Sequence, residues 1–335
     1  LSTIKEVAQS AGVSVATVSR VINKDPAVRP ATRDKVMNAI AQLSYTPNLL
    51  GRHLRQTRTN KILVLIPSIS NQFYSKIIRA MEKVSEEQGY DVLVCMTHND
   101  PRAERRYIDM LVTRVVDGIV FFSSSLSAAQ MDELASGFPV VQCSEYIEGS
   151  NTDMVVIDDE KAAYDAVSWL LRRGHKRVAY MGSQVRYSSG IRRERGYRKA
   201  VTEAGGKADE RFVFLDDYSY PGGGRMAGKY LECGSDRPSA IFCISDSMAI
   251  GCINRLISEG VDVPGKVSVM GFDDTSIAKV FCPAITTVSQ PQSEIGRLAA
   301  ELLIDRIRNG VHKASGGKLR KIILPHDLVI RNTTI

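Results

Sequence analysis

The sequence has no apolar run long enough to cross a bilayer. It has no charged start followed by an apolar stretch, so no secretory leader is expected and the chain is read as cytoplasmic. None of its cysteines (Cys95, Cys143, Cys233, Cys243, Cys252, Cys282) forms a CxxC pair, and most sit inside apolar runs. Buried free thiols are expected rather than disulfides or metal ligands. The histidines, His53, His98, His175, His312 and His326, are scattered with no second ligand at metal spacing. A phosphate-binding loop and a nucleophile elbow are also missing. These absences point away from an enzyme and predict neither metal nor cofactor.

What is present is an ordinary composition with an uneven charge. At 335 residues the chain is long enough for two or three domains. Residues 1–60 hold nine basic side chains against three acidic ones, a net +6 out of +7 for the whole chain. A small basic module on a nearly neutral body suits a polyanionic partner, because phosphate contacts release counterions. A solvated charged surface would give the same numbers, so charge alone does not decide.

The order of residues in that module is more specific. "TIKE" (Thr3 to Glu6) reads as a capping box, followed by Ile4, Val7, Ala8 and Ala11 at helical spacing. Gly12 ends this helix, and Ser14 caps a second from Val15 to about Ile22. Two short helices around a glycine turn make a helix-turn-helix pattern. Pro30 opens a third helix, with Val36, Ala39, Ile40 and Leu43 on its apolar face. In the second helix Val18, Val21 and Ile22 can pack inward. Val15, Ala16, Thr17 and Arg20 lie at its start or on its outer side. Small apolar side chains there can touch a thymine methyl, and Arg20 can take a guanine edge. Ser14, Thr17 and Asn23 can hold phosphates, helped by the helix N-terminus. The competing reading is a three-helix protein-interaction module; with the charge included, double-stranded DNA is the better partner.

A further short basic helix is expected from Asn48 through Arg55, too weakened by Gly51 to be stable alone. It is either a linker or a segment that folds on DNA, with a leucine wedged between base steps. "GVSVATVSRVIN" together with this hinge resembles the headpiece of the lactose-repressor/galactose-repressor family, nearest its galactose-repressor type. The resemblance implies a homodimer on a palindromic operator, with Val15, Ala16 and Arg20 as base readers and Leu54 as the minor-groove wedge. "HDLVIRNTTI" carries no apolar heptads, so the tetramerising tail of the lactose repressor is not expected.

From Lys61 onward, near-continuous apolar strands alternate with helices. "KILVLIP", "YDVLVCM", "DGIVFF" and "PVVQCS" form one series; "MVVID", "RVAYMG", "FVFLD", "SAIFCIS" and "VSVMGFD" form a second. Helices are expected near 73–88, 101–115, 127–135, 159–173, 190–204, 222–233 and 246–259. The pattern predicts an α/β body of two parallel-sheet subdomains, each sheet covered on both faces. The same residues resemble the family's periplasmic-binding-protein-like core, and "ILVLIPSISNQFYSKIIRAME" is nearest the cytidine-repressor type. The resemblance implies three crossings between subdomains, placed near Asp159, Gln290 and Ile322. The division is then 1–47 (headpiece), 48–60 (hinge), 61–158 with 290–321, and 159–289 with 322–335.

Ligands of such sheets bind at the C-terminal strand ends. Phe73 and Tyr74 follow the first core strand and can stack on a flat or sugar-like effector. Asp158 ends "MVVID", Tyr218 follows "FVFLDD" and Asp246 follows "FCIS". Arg193, three residues before Gly196, and Asp273 match the family's effector-binding arginine and aspartate. Each has a structural alternative: Asp246 as a helix cap, Phe73 as core, and Arg192 and Arg195 as solvent-facing neighbours. The whole reads as a transcriptional repressor controlled by a sugar or nucleoside. A rival dinucleotide fingerprint, Gly222-x-Gly224-x-x-Ala227, stands too far from its strand, with Asp217 to Pro221 in between. A secreted sugar-binding protein would explain the core but not the headpiece.

Overall fold

The computed structural model describes residues 2–22, 25–45, 58–185, 187–310 and 319–335. It divides into two units, Leu1–Thr59 and Asn60–Ile335. The expected hinge helix, with Leu54, and Asn23 lie outside the described residues.

In the small unit, α1 (Ile4–Ala11), α2 (Val15–Ile22) and α3 (Pro30–Gln42) are each too short to persist alone. They are held by a shared core of Val7, Ala8, Val18, Val21, Val36 and Ala39. Thr3 and Glu6 form the reciprocal capping box, and Gly12 ends α1 at φ +66°, where a side chain would be strained. Pro30 lies in the first turn of α3, where its missing N–H costs nothing.

The large unit runs β1 (Lys61–Ile66), α4 (Phe73–Glu87), β2 (Asp91–Met96), α5 (Pro101–Val112), β3 (Gly118–Phe121), α6 (Ala128–Gly137), β4 (Val140–Cys143) and β5 (Met154–Ile157). It continues α7 (Asp159–Arg172), β6 (Val178–Ser183), α8 (Ser188–Glu203), β7 (Val213–Asp216), α9 (Tyr220–Glu232), β8 (Ala240–Cys243), α10 (Asp246–Ser258) and β9 (Ser268–Asp273). It ends α11 (Ser276–Val280), β10 (Thr286–Ser289), α12 (Gln292–Asn309), β11 (Lys321–Leu324) and β12 (Asp327–Val329). Two six-stranded sheets result, ordered β11-β5-β4-β3-β1-β2 and β12-β10-β9-β8-β6-β7. Every pairing is parallel except β12 against β10.

The apolar runs are continuous because both sheet faces are covered. Along β1, Ile62, Val64 and Ile66 join one core cluster with Ile77 and Met81 of α4 and Ile295 of α12. Leu63 and Leu65 join another with Ile108 and Leu111 of α5 and Met131 of α6. Alternate residues of one strand thus feed opposite layers. The helices of the second sheet pack as closely. A Cβ at Gly251 would strike the Tyr220 carbonyl, and one at Gly223 the Met248 carbonyl, so α9 and α10 touch through their backbones. The glycines of "PGGGRMAG" therefore serve helix packing. Gly222 and Gly224 lie within α9, past the end of β7 at Asp216.

Met154–Ile157, expected to open the second series of strands, instead pairs with β4 and β11 in the first sheet, so the chain leaves that sheet after Ile157, returns after Ser289 and leaves again after Leu324. The last crossing corrects the expectation at Ile322. Lys321–Leu324 pairs with Met154–Ile157 in the first sheet, so the switch falls at residues 325 and 326. β12 then reverses direction to pair with β10.

Candidate functional site

Two surfaces carry chemistry. The first is the start of α2. Ser14 accepts from the Thr17 amide at 3.1 Å, and the two hydroxyls lie 2.9 Å apart. Val18 and Val21 face the core, leaving Val15 (40% exposed), Ala16 and Arg20 on the outside, with Thr17 partly covered. Burying Val18 and Val21 fixes the roll of the helix, and that roll presents the other four together.

The second lies between the two sheets, where the C-terminal ends of β1, β4, β6, β7 and β9 converge. Phe73, Tyr74, Arg193, Tyr218 and Asp273 line one cavity of ≈ 30 Å³, joined by Asn71, Ser144, Glu145, Tyr187 and Ser189. Arg193 is 4% exposed. Its Nε donates to Asp159 Oδ1 at 2.9 Å and its Nη1 to the Ile244 carbonyl at 2.6 Å. Nη1 also stands 3.6 Å from Asp273 Oδ1, and the guanidinium lies 3.6 Å from the Phe272 ring centroid. Burial works against this cation, but Asp159, Tyr218 and Asp273 hold its pKa above the ordinary range. Burial pushes Asp273 well up, with Arg193 opposing it.

Asp273 has φ +110° and Asp274 φ +52°. Two successive non-glycine residues in sparsely populated backbone regions cost about 1–3 kcal/mol each. The Gln290 and Gln292 amides hold the bend, donating to Asp273 Oδ1 at 2.7 Å and to its carbonyl at 2.5 Å. Aromatic walls stand around the carboxylate. Tyr74 meets Phe122 edge-on at 5.1 Å, and Tyr187 meets Tyr218 edge-on at 6.2 Å. Burial lifts the Tyr74 and Tyr218 hydroxyls well above their usual range, so both stay neutral donors. Aromatic faces, a carboxylate acceptor and a guanidinium donor meet around one small chamber, which has room for about one water.

Residues 3–48 match the model of bacterial regulatory proteins of the lacI family, and residues 59–332 that of periplasmic binding proteins and the sugar binding domain of the LacI family. The chain belongs to the LacI family. It is a transcriptional regulator with a helix-turn-helix domain, not an enzyme. The HTH-type transcriptional regulator DegA of Bacillus subtilis (strain 168) is 36% identical over 99% of this chain and 98% of its own length. The HTH-type transcriptional repressor PurR of Vibrio atlanticus (strain LGP32) is 33% identical over 100% and 99%. The lac repressor dimer bound to operator and the anti-inducer ONPF superposes with a TM-score of 0.86 at 25% identity, over 100% of this chain and 99% of that one.

Two of the expected effector residues of this LacI-family chain stand outside the inner cavity. Asp158 is exposed and caps α7 by accepting from the Lys161 amide at 2.9 Å; its neighbour Asp159 is the residue that reaches Arg193. Asp246 is fully buried, and its oxygens are taken by the Thr275 amide (2.7 Å), the Thr275 hydroxyl (2.9 Å) and the Thr287 hydroxyl (2.6 Å). It ties the bend after β9 to β10. Arg195 is exposed as expected, whereas Arg192 is only 8% exposed. Its guanidinium lies 3.6 Å from the centroid of the Tyr146 ring, which shields it from solvent.

Glu145 was missed by the sequence reading, although it stands two residues past a strand end like the residues that were found. Its carboxylate accepts from Ser188 Oγ at 2.5 Å, from the Ser189 amide at 2.8 Å and from the Ser189 hydroxyl. It thus caps α8 from the opposite subdomain. Burial pushes its pKa up, and Asp159 adds to the shift.

Proposed function

We propose that this regulator binds a palindromic operator as a homodimer and that a sugar or nucleoside in the core cleft controls it. The first turn of α2 enters the major groove. Val15, Ala16 and Arg20 meet base edges, while Ser14, Thr17 and Asn23 hold phosphates. The segment 48–60 acts as the hinge, with Leu54 as its minor-groove wedge. Because its target is chromosomal DNA, the protein works in the cytoplasm.

The reading is carried by the Arg193–Asp273 pair, which the second subdomain presents to a cavity that the first lines with Tyr74 and Glu145. A ligand held there touches both subdomains and so binds their open and closed arrangements unequally. That inequality is what lets a ligand shift DNA affinity. Anisotropy of a labelled operator fragment selected from a random pool tests it. Binding falls steeply with salt, and a screen of sugars and nucleosides yields a compound that shifts the affinity. Asp273→Ala keeps DNA binding and loses the response. A normal response in that variant places the effector site elsewhere.

A further inference from the structure

Glu145 reaches the second subdomain from the loop after β4, and it does so among other acids. Its carboxylate sits on the first turn of α8, held by the Ser189 amide at 2.8 Å and by the Ser188 and Ser189 hydroxyls. Asp159 of α7 acts on it across the interface, and Asp273 of β9 lines the same cavity; both aspartates are buried. The cations opposite are Arg193, which the two aspartates share, and Arg192, which acts on Asp159. The other titratable groups around Glu145 are the hydroxyls of Tyr74, Tyr187 and Tyr218, all held above their usual range and so neutral. On the outer side Glu104 is occupied by Ser124 and Ser125, and Glu148 lies 4.0 Å from Arg195. The closed cleft thus gathers three carboxylates around two guanidinium groups.

Two effects oppose each other at Glu145. The three hydrogen bonds and the N-terminus of α8 favour its ionised form. Burial and the Asp159 charge favour the neutral form and outweigh them, so the carboxyl is held above its ordinary 4.5. The charge count gives the reason. A third carboxylate has no cation left to pair with, and an unpaired charge away from water is neutralised by a proton instead. Parting the subdomains removes both causes at once, because Glu145 belongs to the first and Asp159 and α8 to the second. In water its carboxyl returns to the ordinary value. The closed state therefore binds a proton that the open state releases. This contribution to closure is full below the ordinary 4.5 and is lost as pH rises through the closed-state value. The contacts survive protonation, since a serine hydroxyl oxygen can accept from the new O–H as readily as its hydrogen donates.

We propose that closing the cleft takes up one proton from solvent at the Glu145 carboxylate, so that acidity favours the closed arrangement and alkalinity the open one. The cleft is then regulated by pH as well as by its effector. The inference rests on the effector-site reading above in one respect, that this cleft opens and closes, and it adds a second input to the same movement.

The test uses the ligand-free full-length protein at a series of pH values from about 5 to about 8. Small-angle scattering reads the opening, and hydrogen exchange by mass spectrometry reads the peptide that carries the Ser189 amide. Wild type is expected to expand as pH rises, while protection of that peptide, corrected for intrinsic exchange, falls about tenfold or more. Glu145→Gln keeps an acceptor and has nothing to titrate, so it stays compact and protected throughout. Glu145→Ala lacks the acceptor and stays open throughout, and it decides the matter should the Gln variant misfold. Asp246→Asn removes a carboxyl that titrates at about 6 but is bonded within the second subdomain alone, and it follows the wild-type profile. The proposal is overturned by a flat wild-type profile, by a Glu145→Gln or Glu145→Ala profile that moves with pH like wild type, or by a flat Asp246→Asn profile. Its failure differs from failure of the effector-site reading. A flat wild-type profile beside an effector response that Asp273→Ala abolishes removes only the proton coupling, whereas a response that survives Asp273→Ala removes the effector site itself.

Discussion

The Glu145 carboxylate lies 2.8 Å from the Ser189 amide, although the two belong to different subdomains. One side chain thus satisfies the N-terminus of a helix across the cleft and closes the inner cavity. Tyr187 adds a second link, donating to Asn99 at 2.9 Å. Glu145→Ala leaves these donors without their acceptor, at a cost of about 1–3 kcal/mol to the closed arrangement. Small-angle scattering of the ligand-free variant is expected to give a larger radius of gyration than wild type. An unchanged radius assigns closure to Tyr187 and Asn99 instead.

Burial lifts Asp246 from 3.8 to about 6, against the hydrogen bonds from Thr287 and Thr275. Its folded pKa is therefore above its unfolded one, the reverse of the usual carboxylate. The folded state keeps an extra proton in that window, so this group's contribution is present below pH ~4 and lost as pH rises to about 6. The change is on the order of 3 kcal/mol. Urea unfolding of wild type and Asp246→Asn at several pH values measures it. The stability advantage of wild type over the variant shrinks as pH rises through the window; a constant difference means Asp246 is ionised throughout.

Arg20→Ala should relax discrimination at one base pair of each half-site by about 1–3 kcal/mol. Competition binding with single-position operator variants reads this directly. Uniform weakening across all variants would reassign Arg20 to a phosphate.

Gly251→Ala drives a methyl into the Tyr220 carbonyl between α9 and α10. Overpacking of this kind costs about 1–3 kcal/mol. A lowered thermal midpoint is expected, with operator binding unchanged at low temperature. A midpoint equal to that of wild type would mean the two helices can separate without loss.

The strands and helices were readable because buried parallel strands admit little besides apolar residues, and helix ends carry their own caps. Tyr218 and Asp273 stand at strand ends, where such sheets offer side chains to a ligand, and they line the inner cavity with Arg193 of α8, which the family resemblance alone had pointed to. Asp158 and Asp159 mark the limit. The sequence put a carboxylate at that strand end, but only the turn into α7 decides that Asp158 caps the helix while Asp159 turns inward to Arg193. Arg192 was unreadable for the same kind of reason. Its cover is Tyr146, nearly fifty residues away in the chain and on the other subdomain. Partners that far apart leave no local period. Lys321–Leu324 adds a register effect, because four residues suit either sheet until the partner strand is known.

The three crossings lead from β5 into α7, from β10 into α12 and from β11 into β12; β5 and β11 are neighbours at one edge of the first sheet, and β10 and β12 at one edge of the second. A body hung on a single strand could swivel freely. One hung on three neighbouring segments can fold along the line through them but resists twisting and sliding. The cleft therefore has close to one mechanical degree of freedom. A molecule of modest size wedged at its far side can set a single angle.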